Sequence, residues 1–316
     1  MTLISGFVFS KSTNPALPNT LSISYLRQTS FTGSDIKIEK ELPDSVNYKR
    51  YIASYYSQGF KIFSLLTVPK TNPPEKGFPV IIFNHGYITP EKYTTDGNYI
   101  AHIDSFAKNG YVVFKPDYRG NGNSEGNPSS AYFTRDYDID DLNAIASVKK
   151  LKYINKDKIG VWGHSMGGHI TLVDLVASKD IKAAVIWGGV VGTMDDIVNN
   201  WQQAVSYKPD NEDLFLRNLR KDELIKKYGN PNLRNEFWNQ IDPVANLNLI
   251  DAPVQIHVGE KDSQVPPDFS LNLFKKLVNL NKVVEFYSYK DADHNLSQSF
   301  ALAMSRSLAF FDKYPK

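Results

Sequence analysis

The 316-residue sequence contains no cysteine. Disulfides, thiolate catalysis and cysteine metal sites are therefore excluded together, while the compartment stays open between cytoplasm and export with a signal removed. Charge of one sign is also missing. The 36 Lys and Arg residues against 34 Asp and Glu leave a net +2 with no long block of either sign, which argues against nucleic acid as a partner. The densest basic cluster, Lys149, Lys150 and Lys152, falls where a helix is predicted to end, a place that favours cations. No apolar run approaches the roughly 20 residues that span a bilayer, and Met1–Ser10 lacks the basic start of a signal peptide, so a soluble chain without a membrane span is expected. There is no His-Glu-x-x-His pair and no phosphate loop, so neither metal nor cofactor is expected. Internal repeats and low-complexity tracts are absent too, and the oligomeric state is not legible.

What is present is ordinary globular material, 41% hydrophobic and 22% charged, enough for one large α/β domain with a small insertion. Residues 1–47 are rich in Ser, Thr, Asn and Pro, hold no sustained period of 2 or 3.6, and read as an extension draped on the domain. Tyr48–Ser57 and Phe60–Val68 are aromatic and β-branched runs on either side of Gly59, the pattern of a β-hairpin. After them come short apolar runs suited to strands buried on both faces: 78–85, 111–117, 158–164, 181–187, 252–258 and 282–289. Helical patterns alternate with these runs near 98–109, 136–152, 166–178, 267–280 and 296–312. The alternation predicts a doubly wound, mostly parallel sheet whose strand C-terminal ends carry the site. Only residues 193–243 break the rhythm, with helical, charged and aromatic material too long for a simple crossover. They read as a helical cap inserted between core segments 48–192 and 244–316.

The strongest chemical signal is Gly163-His164-Ser165-Met166-Gly167, followed by Gly168. It stands where a strand meets a helix, the context in which a tight turn with small flanking residues lifts a serine hydroxyl clear of the sheet. A serine needs a base to take its proton and an acid to orient that base. Of six histidines, His164 adjoins the nucleophile and is directed into packing, His169 lies in the following helix, and His257 sits inside a strand. His102 belongs to an early helix and His85 precedes a glycine loop. His294 alone falls in the loop between the last strand and the last helix, and is the predicted base. Asp262, just past a strand end, is the predicted acid, ahead of Glu260, Asp291 and Asp293. The amides of Met166 and Tyr87 are the candidate oxyanion donors.

Asn84-His-Gly-Tyr87, Asp117-Tyr-Arg-Gly-Asn-Gly-Asn-Ser-Glu-Gly126, Gly163–Gly168, Gly259–Pro266 and Asp293-His294 together resemble the catalytic domain of the prolyl-oligopeptidase-like branch of α/β-hydrolases. The likeness covers about residues 48–315. That branch includes acylaminoacyl-peptidase-type enzymes and esterases such as feruloyl esterases, so the resemblance implies an α/β-hydrolase fold and an acyl transfer through Ser165, Asp262 and His294. Its oligopeptidases carry a large N-terminal propeller, and about 47 residues precede the hairpin here, which turns the expectation from peptides towards esters. The chain is thus expected to be a carboxylesterase-type serine hydrolase acting on small ester substrates, with a peptidase acting on short peptides or aminoacyl amides as the alternative. A binding protein of this fold that has lost catalysis is a more remote one. Tyr87, Trp187, Trp201, Phe237 and Trp238 are candidates to line an apolar acyl pocket, which favours short-chain or aromatic acyl groups. Arg119 either holds a substrate carboxylate or, with Asp117, braces neighbouring loops.

Overall fold

The computed structural model describes residues 19–129, 131–201 and 211–314. The chain opens with a short helix, α1 (Ile23–Gln28), and a strand, β1 (Lys37–Leu42). Ser22 caps α1 by accepting the Tyr25 amide at 3.1 Å, and Arg27 fastens it to the domain by donating to the Val176 carbonyl at 2.6 Å. The described part of the N-terminal stretch is therefore built into the fold rather than only laid on it. With six residues each, α1 and β1 are too short to display a period, and α1 buries only Ile23 and Leu26.

β2 (Tyr48–Ser57) and β3 (Phe60–Pro69) form the predicted hairpin, with Ser57 opposite Phe60. The two residues between them, Gln58 and Gly59, have φ of 49° and 87°, as a type I′ turn demands of both. There follow β4 (Phe78–Asn84), α2 (Ile100–Lys108), β5 (Val112–Pro116), α3 (Asp136–Val148), β6 (Ile154–His164), α4 (Met166–Ala177) and β7 (Ala183–Trp187). The remainder is α5 (Asn211–Tyr228), α6 (Glu236–Ile241), β8 (Val254–Gly259), α7 (Pro267–Asn279), β9 (Val284–Tyr289) and α8 (Phe300–Lys313). The strands make one nine-stranded sheet in the order β1-β2-β3-β5-β4-β6-β7-β8-β9. β1 to β3 are antiparallel, β3 meets β5 antiparallel, and β4 to β9 run parallel. Lys149 stands just past the end of α3, paired with Asp180 at 2.7 Å.

Strand parity sorts the core into two layers. Val80 and Ile82 of β4 join the apolar cluster that holds Leu142 of α3 and Ile170 of α4, while Ile81 and Phe83 join the one holding Ile103 and Phe106 of α2 and Phe311 of α8. On β7, Ala184 and Ile186 face the first layer, and Val185 and Trp187 the second.

The interval after β7 holds a π-helical turn at Asp196–Asn200, then α5 and α6. Its two ends are clasped by one buried carboxylate, since Asp242 accepts the amide of Met194 at 3.0 Å and that of Val244 at 2.7 Å. Arg135 adds a second tie, donating to the carbonyls of Leu21 and Ile241 while pairing with Asp138 at 3.0 Å.

Candidate active site

β6 ends at His164 and α4 starts at Met166, so Ser165 alone makes the turn between them, with φ 55° and ψ −120°. A non-glycine residue persists in such a conformation only where its surroundings over-determine it. Here they do. The Ser165 amide donates to the Trp187 carbonyl at 3.0 Å, and its carbonyl accepts from Gly168 and Val190 at 2.9 and 3.0 Å. The flanking glycines are steric requirements, because a Cβ on Gly167 would run into the Asn84 carbonyl and one on Gly163 into the carbonyl of Gly167.

Parallel register brings the remaining groups to the same edge. β6, β7 and β8 pair so that His164 lies opposite Trp187 and Trp187 opposite His257, with Gly259 opposite Tyr289 of β9. Asp262 and His294 follow the ends of β8 and β9, and there His294 Nδ1 lies 2.7 Å from Asp262 Oδ2. Both residues are buried. The other Asp262 oxygen accepts the amides of Gln264 and Val265, each at 2.9 Å, which fixes the carboxylate against rotation. The rival acids are engaged elsewhere: Asp293 accepts from Asn295 and Ser297 within its own loop, Asp291 pairs with Lys261 at 2.8 Å, and Glu260 accepts from Ser288.

Met166 is the first residue of α4, so its amide is one of the donors that a helix leaves without an internal partner. Tyr87 is half-buried against the α3/α4 layer. Beside it, Gly86 comes so near the nucleophile that a Cβ there would lie 3.1 Å from the Ser165 Cβ.

The other histidines are packed and neutral. Burial lowers His85 to about 3, His102 to about 4, and His169 and His257 to about 3 each. His85 is stacked between Tyr93 and Tyr118, His169 meets the Val190 carbonyl, and His257 meets Tyr289 and Gln255.

Several pocket candidates lie elsewhere. Arg119 is buried and committed: Nε and Nη2 reach Asp140 at 2.9 and 2.7 Å, Nη1 reaches Asp136 at 3.2 Å and Nη2 also reaches Gln58 at 2.9 Å. It braces loops rather than meeting a substrate. Asp117 does likewise, accepting from Tyr93 and Thr95 of the segment after β4. Trp187 is fully buried in the α2/α8 layer, on the sheet face away from α4, because strand parity sends it there, and its indole donates to Ser307. Trp238 is buried with its indole on the Gly229 carbonyl, and Phe237 stacks on Tyr228. Of these three tryptophans it is the Trp201 indole that reaches the site, donating at 2.8 Å to the carbonyl of Gln264 in the Asp262 loop and meeting Tyr132 edge-on.

Sequence reasoning missed Gly188. Its φ is 49°, a conformation that strains a side chain, and a Cβ on it would crowd the pair at 3.2 Å from His294 Nδ1 and 3.3 Å from Asp262 Oδ2. The adjacent Gly188-Gly189 directly after a strand was the available signal.

Beneath the turn lies a buried polar cluster. Asn84 Nδ2 lies 3.2 Å from oxygens of Asp141, Thr171 and Asp174, which share its two hydrogens, and Tyr118 donates to Asn84 Oδ1. Burial raises both carboxyls, Asp174 well above the usual carboxylate range, so the pair retains a proton. A carboxyl raised by folding contributes stability in full below its unfolded value, about 3.9, and loses it as pH climbs through the raised folded value. Asp174→Asn places a neutral amide where the protonated acid stands. Relative to wild type the variant should therefore gain stability from pH 4 to pH 8, by up to about 1.4 kcal/mol per pH unit while the lost proton would have titrated. Urea unfolding at several pH values checks this, and a constant difference would refute it.

The model of the prolyl oligopeptidase family matches residues 98–316. Among curated proteins, an uncharacterized peptidase, YtmA, of Bacillus subtilis is 29% identical over 251 residues, spanning 79% of this chain and 88% of that protein. A probable dipeptidyl-aminopeptidase B of Aspergillus terreus is 25% identical over 84% of this chain, which spans 28% of that protein. Among solved structures, acetyl xylan esterase 1 from Thermoanaerobacterium sp. superposes with a TM-score of 0.66 at 18% identity, covering 93% of each chain. The Pyrococcus horikoshii acylaminoacyl peptidase gives a TM-score of 0.63 at 22% identity over 86% of this chain and 44% of its own.

Proposed function

From the premise that this chain belongs to the prolyl oligopeptidase family of serine hydrolases and has the α/β-hydrolase fold, we propose that it cleaves carboxylic esters of short-chain or aromatic acids through an acyl-enzyme on Ser165. The observation that carries the chemistry is the buried His294–Asp262 pair, 2.7 Å apart on the strand edge where Ser165 holds its strained turn.

In the proposed sequence, Ser165 Oγ attacks the ester carbonyl while His294 Nε2 takes its proton. Asp262, hydrogen-bonded at Nδ1, keeps the imidazole in the right tautomer and stabilises the imidazolium. The carbonyl oxygen becomes an oxyanion facing the amides of Met166 and Tyr87, each worth about 10²–10³ in rate by analogy with other oxyanion donors. Collapse expels the alcohol with the proton from His294. Water then attacks the acyl-enzyme by the same route, giving the acid and restoring Ser165.

Two observations support the choice of an ester. Arg119, the cation that sequence order puts beside the site, is saturated by Asp140, Asp136 and Gln58 and does not offer itself to a peptide terminus. An acetyl xylan esterase, an ester hydrolase by name, shares this fold over 93% of each chain. Tyr87 and Trp201 are the aromatic residues we assign to the acyl side. The peptidase alternative rests on the family's name and that of the Bacillus relative.

A panel of 4-nitrophenyl acetate, 4-nitrophenyl octanoate, methyl ferulate, aminoacyl anilides and short peptides tests the proposal. Acetate or ferulate should exceed the anilides and peptides at least tenfold in kcat/KM. A preference for anilides or peptides would replace the ester reading with the peptidase one, and an optimum at octanoate would remove the assigned acyl class.

A further inference from the structure

His164, the residue before the nucleophile, is neither a base nor plain packing. Gly86 N–H donates to the Tyr99 hydroxyl at 2.9 Å, that hydroxyl lies 2.7 Å from His164 Nδ1, and His164 Nε2 lies 3.1 Å from the carbonyl of His294. The proton positions follow from chemistry. An amide only donates and a carbonyl only accepts, so Tyr99 accepts from Gly86 and His164 Nε2 carries the hydrogen that reaches His294. His164 is held neutral by its surroundings, so its Nδ1 has no hydrogen and accepts from the Tyr99 hydroxyl. Burial and the neighbouring His294 both hold its pKa well below the ordinary value. Neutrality matters because the His164 and His294 rings are 4.6 Å apart, and a cation at His164 would oppose the imidazolium that forms on His294.

We infer that Tyr99 and His164 form a neutral positioning relay that fixes the Gly86-Tyr87 loop and the His294 loop to one another across the nucleophile. The inference rests on the serine-hydrolase reading of Ser165 and deepens it, since one hydroxyl and one imidazole set the distance between oxyanion donors and base. Tyr99 itself is held in a left-handed conformation, φ 63° and ψ 25°, costly for a bulky residue and retained at the start of α2 where its ring meets Phe83 and its hydroxyl meets Gly86. Loops set this way are preorganised for the transition state, so their loss should appear in kcat rather than KM.

Tyr99→Phe deletes one oxygen and retains the ring. With 4-nitrophenyl acetate, kcat should fall about tenfold or more with KM within twofold, and affinity for phenylboronic acid, a mimic of the tetrahedral adduct, should fall in parallel. His164→Gln, whose amide still accepts at one end and donates at the other, should recover part of what His164→Leu loses. These readouts are taken on protein whose melting temperature and fluorophosphonate-reactive fraction match wild type. Should Tyr99→Phe not fold, the Gln and Leu pair decides. Wild-type values of kcat and boronate affinity in Tyr99→Phe, or equal losses in the Gln and Leu variants, would overturn the relay. Failure of the underlying reading looks different: wild type itself would escape the fluorophosphonate, or Ser165→Ala would still be labelled.

Discussion

Ser165→Ala should lose fluorophosphonate labelling altogether and reduce kcat/KM by on the order of 10⁴–10⁶, with the fold intact. The fold should survive because alanine keeps the Cβ and every backbone bond at the turn, the amide to Trp187 and the carbonyl to Gly168 and Val190. What it loses is the only atom that can form the acyl bond. A companion variant separates chemistry from strain. At φ 55° and ψ −120° Ser165 occupies a region that glycine enters freely, and such strain costs on the order of 1–3 kcal/mol. Ser165→Gly should therefore be as inactive as Ser165→Ala and yet unfold at higher denaturant, by about 1 kcal/mol once glycine's added unfolded-state entropy is offset. Ester hydrolysis by the alanine variant above about one per cent of wild type, at a rate insensitive to fluorophosphonate, would remove Ser165 from the proposal.

How far the sequence discloses such a site depends on what each feature needs. Parallel strands are buried on both faces, so their apolar runs stand out: β4 and β7 are almost wholly apolar, and β5 and β8 are mainly so, with Lys115 in the one and Gln255 and His257 in the other. The turn at Ser165 is legible because steric demand writes it into two glycines. Asp262 and His294 are legible as residues just past strand ends, since chain order and a parallel sheet put those ends on one edge. Other features depend on parity and partners that linear order does not carry. Trp187, one residue before Gly188, goes to the opposite layer, and Arg119 is drawn into Asp136 and Asp140 from α3, seventeen and twenty-one residues away. α1 and β1 were illegible because six residues display no period. The Tyr99–His164 contact joins residues sixty-five apart through one hydroxyl, a pairing no local pattern encodes.

Asp262→Asn should be nearly as damaging as loss of the serine, lowering kcat by about 10³–10⁴ with little change in KM, for a reason readable from its hydrogen bonds. Asp262 Oδ1 accepts two backbone amides, from Gln264 and Val265, and a side-chain NH₂ cannot take that place without setting donors against donors. The asparagine oxygen must therefore occupy the Oδ1 position, which turns the NH₂ towards His294 Nδ1, 2.7 Å away in wild type. To accept from that NH₂, Nδ1 must give up its hydrogen, and in the neutral ring the proton moves to Nε2, the atom that has to accept from Ser165. The base is then present, correctly placed and in the wrong tautomer. Fluorophosphonate labelling should slow in proportion to kcat while its final extent stays stoichiometric, which distinguishes a tautomer fault from an unfolded site. The same reasoning gives opposite expectations for the neighbouring acids. Asp293→Asn leaves Oδ1 free to accept from Asn295 and Ser297, and Asp291 is an exposed partner of Lys261, so Asp293→Asn and Asp291→Asn should both retain activity within a fewfold of wild type. If instead Asp262→Asn lost less than tenfold and Asp293→Asn lost the activity, the acid would belong to the His294 loop itself, and Asp262 would serve only to hold the turn at Gln264 and Val265.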